Sequence, residues 1–141
     1  MRKIDALFER YGESHRNSTN KAIHWICVPL ITWSVLAGLW AWSPVAACVG
    51  IGLALAFYAW LSPSLALGML VVVALMVYPL TLLGVHVLVA AVVVFVLAWI
   101  GQFIGHVIEG KKPSFFEDVK FLLIGPLWLL GFVYRRLGVA Y

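Results

Sequence analysis

Gln102, His106 and Glu109 close a long apolar run and sit at i, i+4 and i+7, so a helix continued through them places all three on one face. Imidazole, carboxamide and carboxylate on one face are the side chains of a metal site. Their best partners lie far back in the chain, in the segment from His15 to His24, where Asn20 and His24 are again four apart. His15, His24 and His106 are the candidate ligands, with Glu109 as a carboxylate beside them. Tyr11, Asn20 and Gln102 are within reach as partners that fix ring tautomers. No cysteine adjoins this group, which argues against a closed structural zinc site. Imidazole suits zinc, copper, iron and nickel, and a histidine-rich site with open positions near a carboxylate is of the kind found in non-haem Fe(II) oxygenases. Spacing alone leaves iron and zinc both open.

These segments meet only if the chain between them folds back the right number of times. Hydrophobic residues make up 64% of the 141-residue sequence and charged residues 11%, which excludes an ordinary soluble domain. Every Lys, Arg, Asp and Glu lies in residues 1–21 or 109–136. The uncharged stretch from Ala22 to Ile108 has room for about four helical crossings at about 20 residues each. The expected spans are 22–42, 44–61, 64–82 and 85–105, with turns at Ser43-Pro44 and Leu61-Ser62-Pro63. Gly50 and Gly52 read as small residues that admit a neighbouring helix, and Pro79 as a kink or fray near the end of the third span. Ser18, Thr19 or Asn20 would cap the first span.

The flanks complete the layout. Ile4, Leu7, Phe8 and Tyr11 recur at helical spacing among charges, predicting an amphipathic helix. Residues 118–134 form a further apolar run, interrupted at Gly125-Pro126, that reads as a re-entrant or interfacial helix rather than a fifth crossing. The fold expected is thus all-α, an integral membrane bundle of about four transmembrane helices with an N-terminal amphipathic and a C-terminal interfacial helix. It is one membrane domain: a polar segment over 1–21, a four-span core over 22–108, and a loop and apolar helix over 109–141. Four crossings return the chain to its starting side, and the flanking cations place that side in the cytoplasm. His15, His24, His106, Glu109, Lys111 and Lys112 then share one face.

His86 is the exception. Twenty helical residues, about 30 Å, separate it from His106, which places it at the opposite face. Cys27 and Cys48 likewise fall near opposite faces and read as reduced packing residues. The first 21 residues lack the apolar core of a cleavable signal, and no basic stripe with interleaved aromatics points to nucleic acid. The net charge of +4 points instead to a membrane lipid surface.

Tyr11-x3-His15-x4-Asn20-x3-His24-x4-Pro29, followed by Gly105-His106-x2-Glu109-Gly110-Lys111-Lys112-Pro113, resembles the paired signature of the 2-hydroxy fatty acid dioxygenases. Nearly the whole chain shares the layout, with Ser114 standing where that family has alanine. The resemblance implies an Fe(II) enzyme that uses O2 to shorten a long-chain 2-hydroxy fatty acid by one carbon with release of CO2. It places short members such as this one in the bacterial inner membrane. His15, His24 and His106 match its motif histidines, and Asn20 and Glu109 its other polar positions. The carry-over makes the three histidines and Glu109 the expected catalytic set, and Lys111 and Lys112 would steer the substrate carboxylate. Two other classes stand beside this one: a bis-histidine haem carrier using His24 and His106, and a small transporter or assembly protein, which the apolar span centres disfavour.

Overall fold

A computed structural model describes residues 1–141. All of its regular structure is helical: α1 (Lys3–Gly12), α2 (Ser18–Trp42), α3 (Pro44–Leu61), α4 (Pro63–Leu83), α5 (Val87–Glu109) and α6 (Phe121–Leu137), with 3-10 turns at Gly84–His86 and Ser114–Phe116. Sequence signals set the breaks. Ser43 and Ser62 each end one helix and cap the next, accepting from the Ala46 and Leu65 amides while Pro44 and Pro63 take the first helical position. The expected 44–61 element is therefore matched at both ends. α2 starts four residues earlier than expected because Asn17 is its cap: the Asn17 side chain accepts from the Thr19 and Asn20 amides, and Ser18 to Asn20 are already helical. α4 runs through Pro79 to Leu83, and α6 runs unbroken through Gly125-Pro126.

Three helical stretches are long and apolar enough to cross a membrane: Ser18–Trp42, Pro44–Leu61 and Pro63–Glu109. The last has 47 residues, about 70 Å of helix, too long for one crossing of a hydrocarbon layer about 30 Å thick. It turns at Gly84, whose φ of 53° is open to glycine and strained for most other residues.

Two buried clusters give the helix directions. Leu36 and Ala37 of late α2, Ala47 of early α3, Leu80 of late α4 and Val87 of early α5 pack together at one end. At the other, Tyr58 of late α3 and Leu65 and Met69 of early α4 pack with α1 and α6. α2, α3, α4 and α5 thus alternate up and down. Apolar side chains such as Leu53, Leu75, Val89 and Val93 cover the outside of the long helices, as lipid contact requires.

The tightest pair in the chain is α2 with α5. A Cβ added at Gly101 would sit 2.7 Å from Cys27 Sγ, and one at Gly105 would collide with the Asn20 side chain. Gly101 and Gly105, four apart on one face of α5, are the small residues that let a neighbour approach. The expectation placed on Gly50 and Gly52 is corrected here: a Cβ at Gly50 makes an ordinary 3.4 Å contact with Leu39, and one at Gly52 meets nothing.

α1 and α6 close the end of the bundle opposite His86. Phe8 lies against Gly131 and Tyr11 against Gly125 and Trp128, so the two helices run antiparallel. Tyr58 donates to the Leu123 carbonyl and Tyr134 to that of Ser64, both at 2.8 Å. Both ends of α6 are thereby tied to the same end of the long helices.

Candidate metal centre

Three imidazoles converge beneath this roof. His15 lies in the link between α1 and α2, His24 in the second turn of α2 and His106 in the last turn of α5. All three are buried, with one candidate ligand nitrogen from each lying within 4.8 Å of the others. The His24 and His106 Nε2 atoms face each other at 3.1 Å. Ring centroids are 4.2 Å apart for His15 and His24, 5.1 Å for His15 and His106, and 4.8 Å for His24 and His106, every pair edge to face. No flat slot for a macrocycle remains between His24 and His106.

What orients the rings is backbone. Each Nδ1 is satisfied by a main-chain oxygen: His15 by Tyr11 at 2.6 Å, His24 by Asn20 at 2.9 Å and His106 by Lys111 at 3.1 Å. A carbonyl only accepts, so each Nδ1 carries the proton and each Nε2 presents a lone pair inward. His15 Nε2 is buried with no partner. Three lone pairs pointing at one another repel unless a cation completes them. Imidazole nitrogens sit about 2.0–2.1 Å from a divalent ion, so two of them 3.1 Å apart are spaced as neighbours in one coordination shell. The residues present therefore fit a metal ion bound through three neutral imidazoles. Burial, with His24 beside it, pulls the His15 pKa from 6.5 to about 3, which keeps the ring in its metal-binding form at neutral pH.

The neighbouring candidates hold this cluster in different ways. Tyr11 stacks on the His15 ring at 4.2 Å besides accepting the Nδ1 hydrogen bond at its carbonyl, and its own buried phenol is pushed well above the usual range. Glu109 does not face the rings. Its carboxylate accepts from the Arg16 and Asn17 amides at 2.9 Å each and from Asn20 Nδ2 at 3.0 Å, clasping the end of α5 to the start of α2. Asn20 also donates to the Ser14 carbonyl at 3.2 Å. Lys111 acts through its carbonyl, while its ammonium donates to the Glu13 carbonyl at 3.2 Å. Lys112 lines an open polar depression with Arg10, Glu13, His106 and Glu117. His86 sits in the turn between α4 and α5, at the far end.

A second, narrower cavity opens beside the rings, with about 30 Å³ for the centres of water-sized molecules. It is walled by His15 and His106, by Ile31 and Thr32 deeper in α2, and by Trp99 and Gln102 of α5. Sequence reasoning passed over Trp99, although it lies three residues before Gln102 and seven before His106. It also passed over the Ser14 and Ser114 hydroxyls, which meet at 2.5 Å between the α1–α2 link and the loop after α5. Those two residues are 100 positions apart and carry no local signal.

Against known proteins, a family model described as Mpo1-like, 2-hydroxy-palmitic acid dioxygenase Mpo1-like, matches residues 1–137. No curated protein and no solved structure matches the chain.

Proposed function

The chain belongs to the Mpo1-like family, and from that membership and the three inward-facing imidazoles we propose that it is an Fe(II) dioxygenase of long-chain 2-hydroxy fatty acids. The reaction is the oxidation of a 2-hydroxy acid by O2 to the acid one carbon shorter, with CO2 and water as the other products. The carrying observation is the cluster itself: three Nε2 lone pairs converge in a buried site, each fixed by a backbone oxygen on the opposite ring nitrogen.

His15, His24 and His106 would hold the iron. When bound, the ion supplies Lewis acidity and the one-electron chemistry that O2 requires. The chain supplies the rest. The backbone tethers fix three ring planes before any metal arrives, so little reorganisation accompanies binding. Glu109 and Asn20 brace the α2–α5 junction, and Tyr11 with Trp128 covers His15 from the α1–α6 side. That cover keeps water from the reacting centre. These three residues, without cysteine or a free carboxylate beside them, would hold the ion and leave room in the site for a 2-hydroxy acid and for O2. Lys112, exposed at the rim, would draw the anionic head toward the site.

The membrane arrangement belongs to the same proposal. α2, α3, α4 and α5 cross the bilayer, and α1 and α6 lie at its cytoplasmic surface, in a bacterial inner membrane. The flanking cations support this orientation, as does the return of α6 to the end where α1 lies.

The test is product analysis. Purified protein loaded with Fe(II) is given 2-hydroxypalmitic acid in air, beside an iron-free control, and products are read by mass spectrometry. The expected result is an iron-dependent C15 acid. Stoichiometric bound iron without that product refutes the substrate assignment, and no bound metal refutes the site.

A further inference from the structure

Besides His15 Nε2, two polar atoms on residues lining the narrow cavity have no partner in the protein: the indole Nε1 of Trp99 and the amide Oε1 of Gln102, both buried. Buried donors and acceptors are nearly always satisfied. A donor and an acceptor left open on the walls of one cavity mark a place that something outside the chain completes. Trp99, Gln102 and His106 follow at i, i+3 and i+7 along one face of α5, so both open groups lie on the stripe that carries a candidate ligand.

Their chemistry is specific. A carboxylate oxygen accepts and a hydroxyl donates, and a 2-hydroxy acid carries the two on adjacent carbons. The cavity, with about 30 Å³ for the centres of water-sized molecules, has no room for a long acyl chain. The chain must therefore lie outside it, and two exits exist. One is the depression beside Lys112, walled by Arg10, Glu13 and Glu117, which is unsuited to hydrocarbon. The other is the slot between α5 and α6. Both helices pack on α2 and make little or no contact with each other. Leu122 and Phe115 edge the cavity there, and Leu122 is exposed on the apolar surface. Thr32 turns its hydroxyl onto the Val28 carbonyl at 2.9 Å, which removes it as a polar obstacle.

We propose that Trp99 and Gln102 bind the polar head of the substrate, the indole N–H donating to its carboxylate and the amide oxygen accepting from its 2-hydroxyl, while the acyl chain extends into the bilayer through the slot between α5 and α6. The proposal rests on the substrate class assigned above and adds the residues that select it.

The conservative variants are Trp99→Phe, which deletes the N–H and keeps the aromatic packing on Phe95, Phe103 and Phe115, and Gln102→Leu. Each is purified in lipid nanodiscs and accepted only with wild-type iron content. Binding of 2-hydroxypalmitic acid is measured without O2 by calorimetry, so that turnover plays no part. Binding at least tenfold weaker in both variants is expected. Palmitic acid, which lacks the hydroxyl, should bind the Gln102→Leu variant and the wild type alike. A 2-hydroxy acid carrying a mid-chain diazirine should label Phe115 or Leu122. Variant affinities within twofold of wild type, or labelling confined to Phe116 and Lys112 in the depression, would overturn the proposal. The two readings fail separately. C15 product with wild-type affinity in the variants sinks only the head site. Weakened variant binding without C15 product upholds the head site and sinks the reaction.

Discussion

At the scale of single residues the site depends on atoms that point away from it. Each imidazole is aimed by a backbone oxygen on its Nδ1, so losing a ring deletes a ligand while leaving the helices intact. His24→Ala and His106→Ala should each reduce bound iron to below a tenth of wild type, measured by elemental analysis, with unchanged helical content. His86→Ala, at the far end, should keep full iron occupancy; loss there would contradict the separation of the two faces. Glu109 permits a sharper distinction. Its oxygens are occupied by two amides and Asn20, which would make it a brace of the α2–α5 junction rather than a proton carrier. Glu109→Gln, which retains one acceptor oxygen, should keep more than a tenth of kcat. Glu109→Ala should weaken iron binding about 10- to 100-fold, the range typical of lost outer-sphere support. A Gln variant as inactive as a histidine variant would make Glu109 a proton carrier instead. The histidines were legible in the sequence because so few ionisable groups approach the spans. The orientation of Glu109 was not, since its i+3 spacing from His106 is equally compatible with a carboxylate turned to the metal or to the next helix. Nor was Lys111, whose part is played by a carbonyl that every residue possesses.

At the scale of elements, one helix pair brings His24 to His106. α2 and α5 approach closely because Gly101 and Gly105 carry no side chain where Cys27 and Asn20 press in. Gly105→Ala should push Asn20 aside, disturbing the carbonyl that holds His24 and the amide that holds Glu109. Iron affinity should fall at least tenfold, whereas Gly52→Ala, with open space around it, should be silent in the same titration. Gly101→Ala forces a methyl to within 2.7 Å of Cys27 Sγ and should cost about 1–3 kcal/mol by overpacking, read from unfolding in mixed detergent. Adding Cys27→Ala should recover most of that loss, and strictly additive effects would refute direct contact. The ends of α3 were legible to the residue because Ser-Pro both stops one helix and caps the next. The glycines were not. In a window of uniform hydropathy Gly50, Gly52, Gly101 and Gly105 look alike, and only the partner helix distinguishes them.

At the scale of the whole molecule, the question is how one end of an apolar bundle comes to be roofed. α6 has 17 residues and reaches about 25 Å, less than the hydrocarbon thickness of about 30 Å. Crossing would leave its final turn, with Arg135 and Arg136, short of the far surface. Lying across the bundle end, it keeps Arg135 beside Phe8 of α1 and puts Trp128 over His15. The roof and the orientation of the four long helices are therefore one property, and side-specific thiol labelling tests both. In a Cys48→Ser background, where the remaining Cys27 is buried, cysteine is introduced singly at Lys112, Arg136 or Val85 and treated with an impermeant maleimide in intact cells and inverted vesicles. Positions 112 and 136 should label only in inverted vesicles and position 85 only in cells. If 136 labels together with 85, α6 crosses the membrane, the His15 ring loses its cover, and the buried centre must open toward the lipid instead. If 112 and 85 label together, the long helices cross an odd number of times, and His24 and His106 cannot meet. Agreement of all three positions would mean that a reaction requiring a dry site is enclosed by two short helices that never enter the bilayer core.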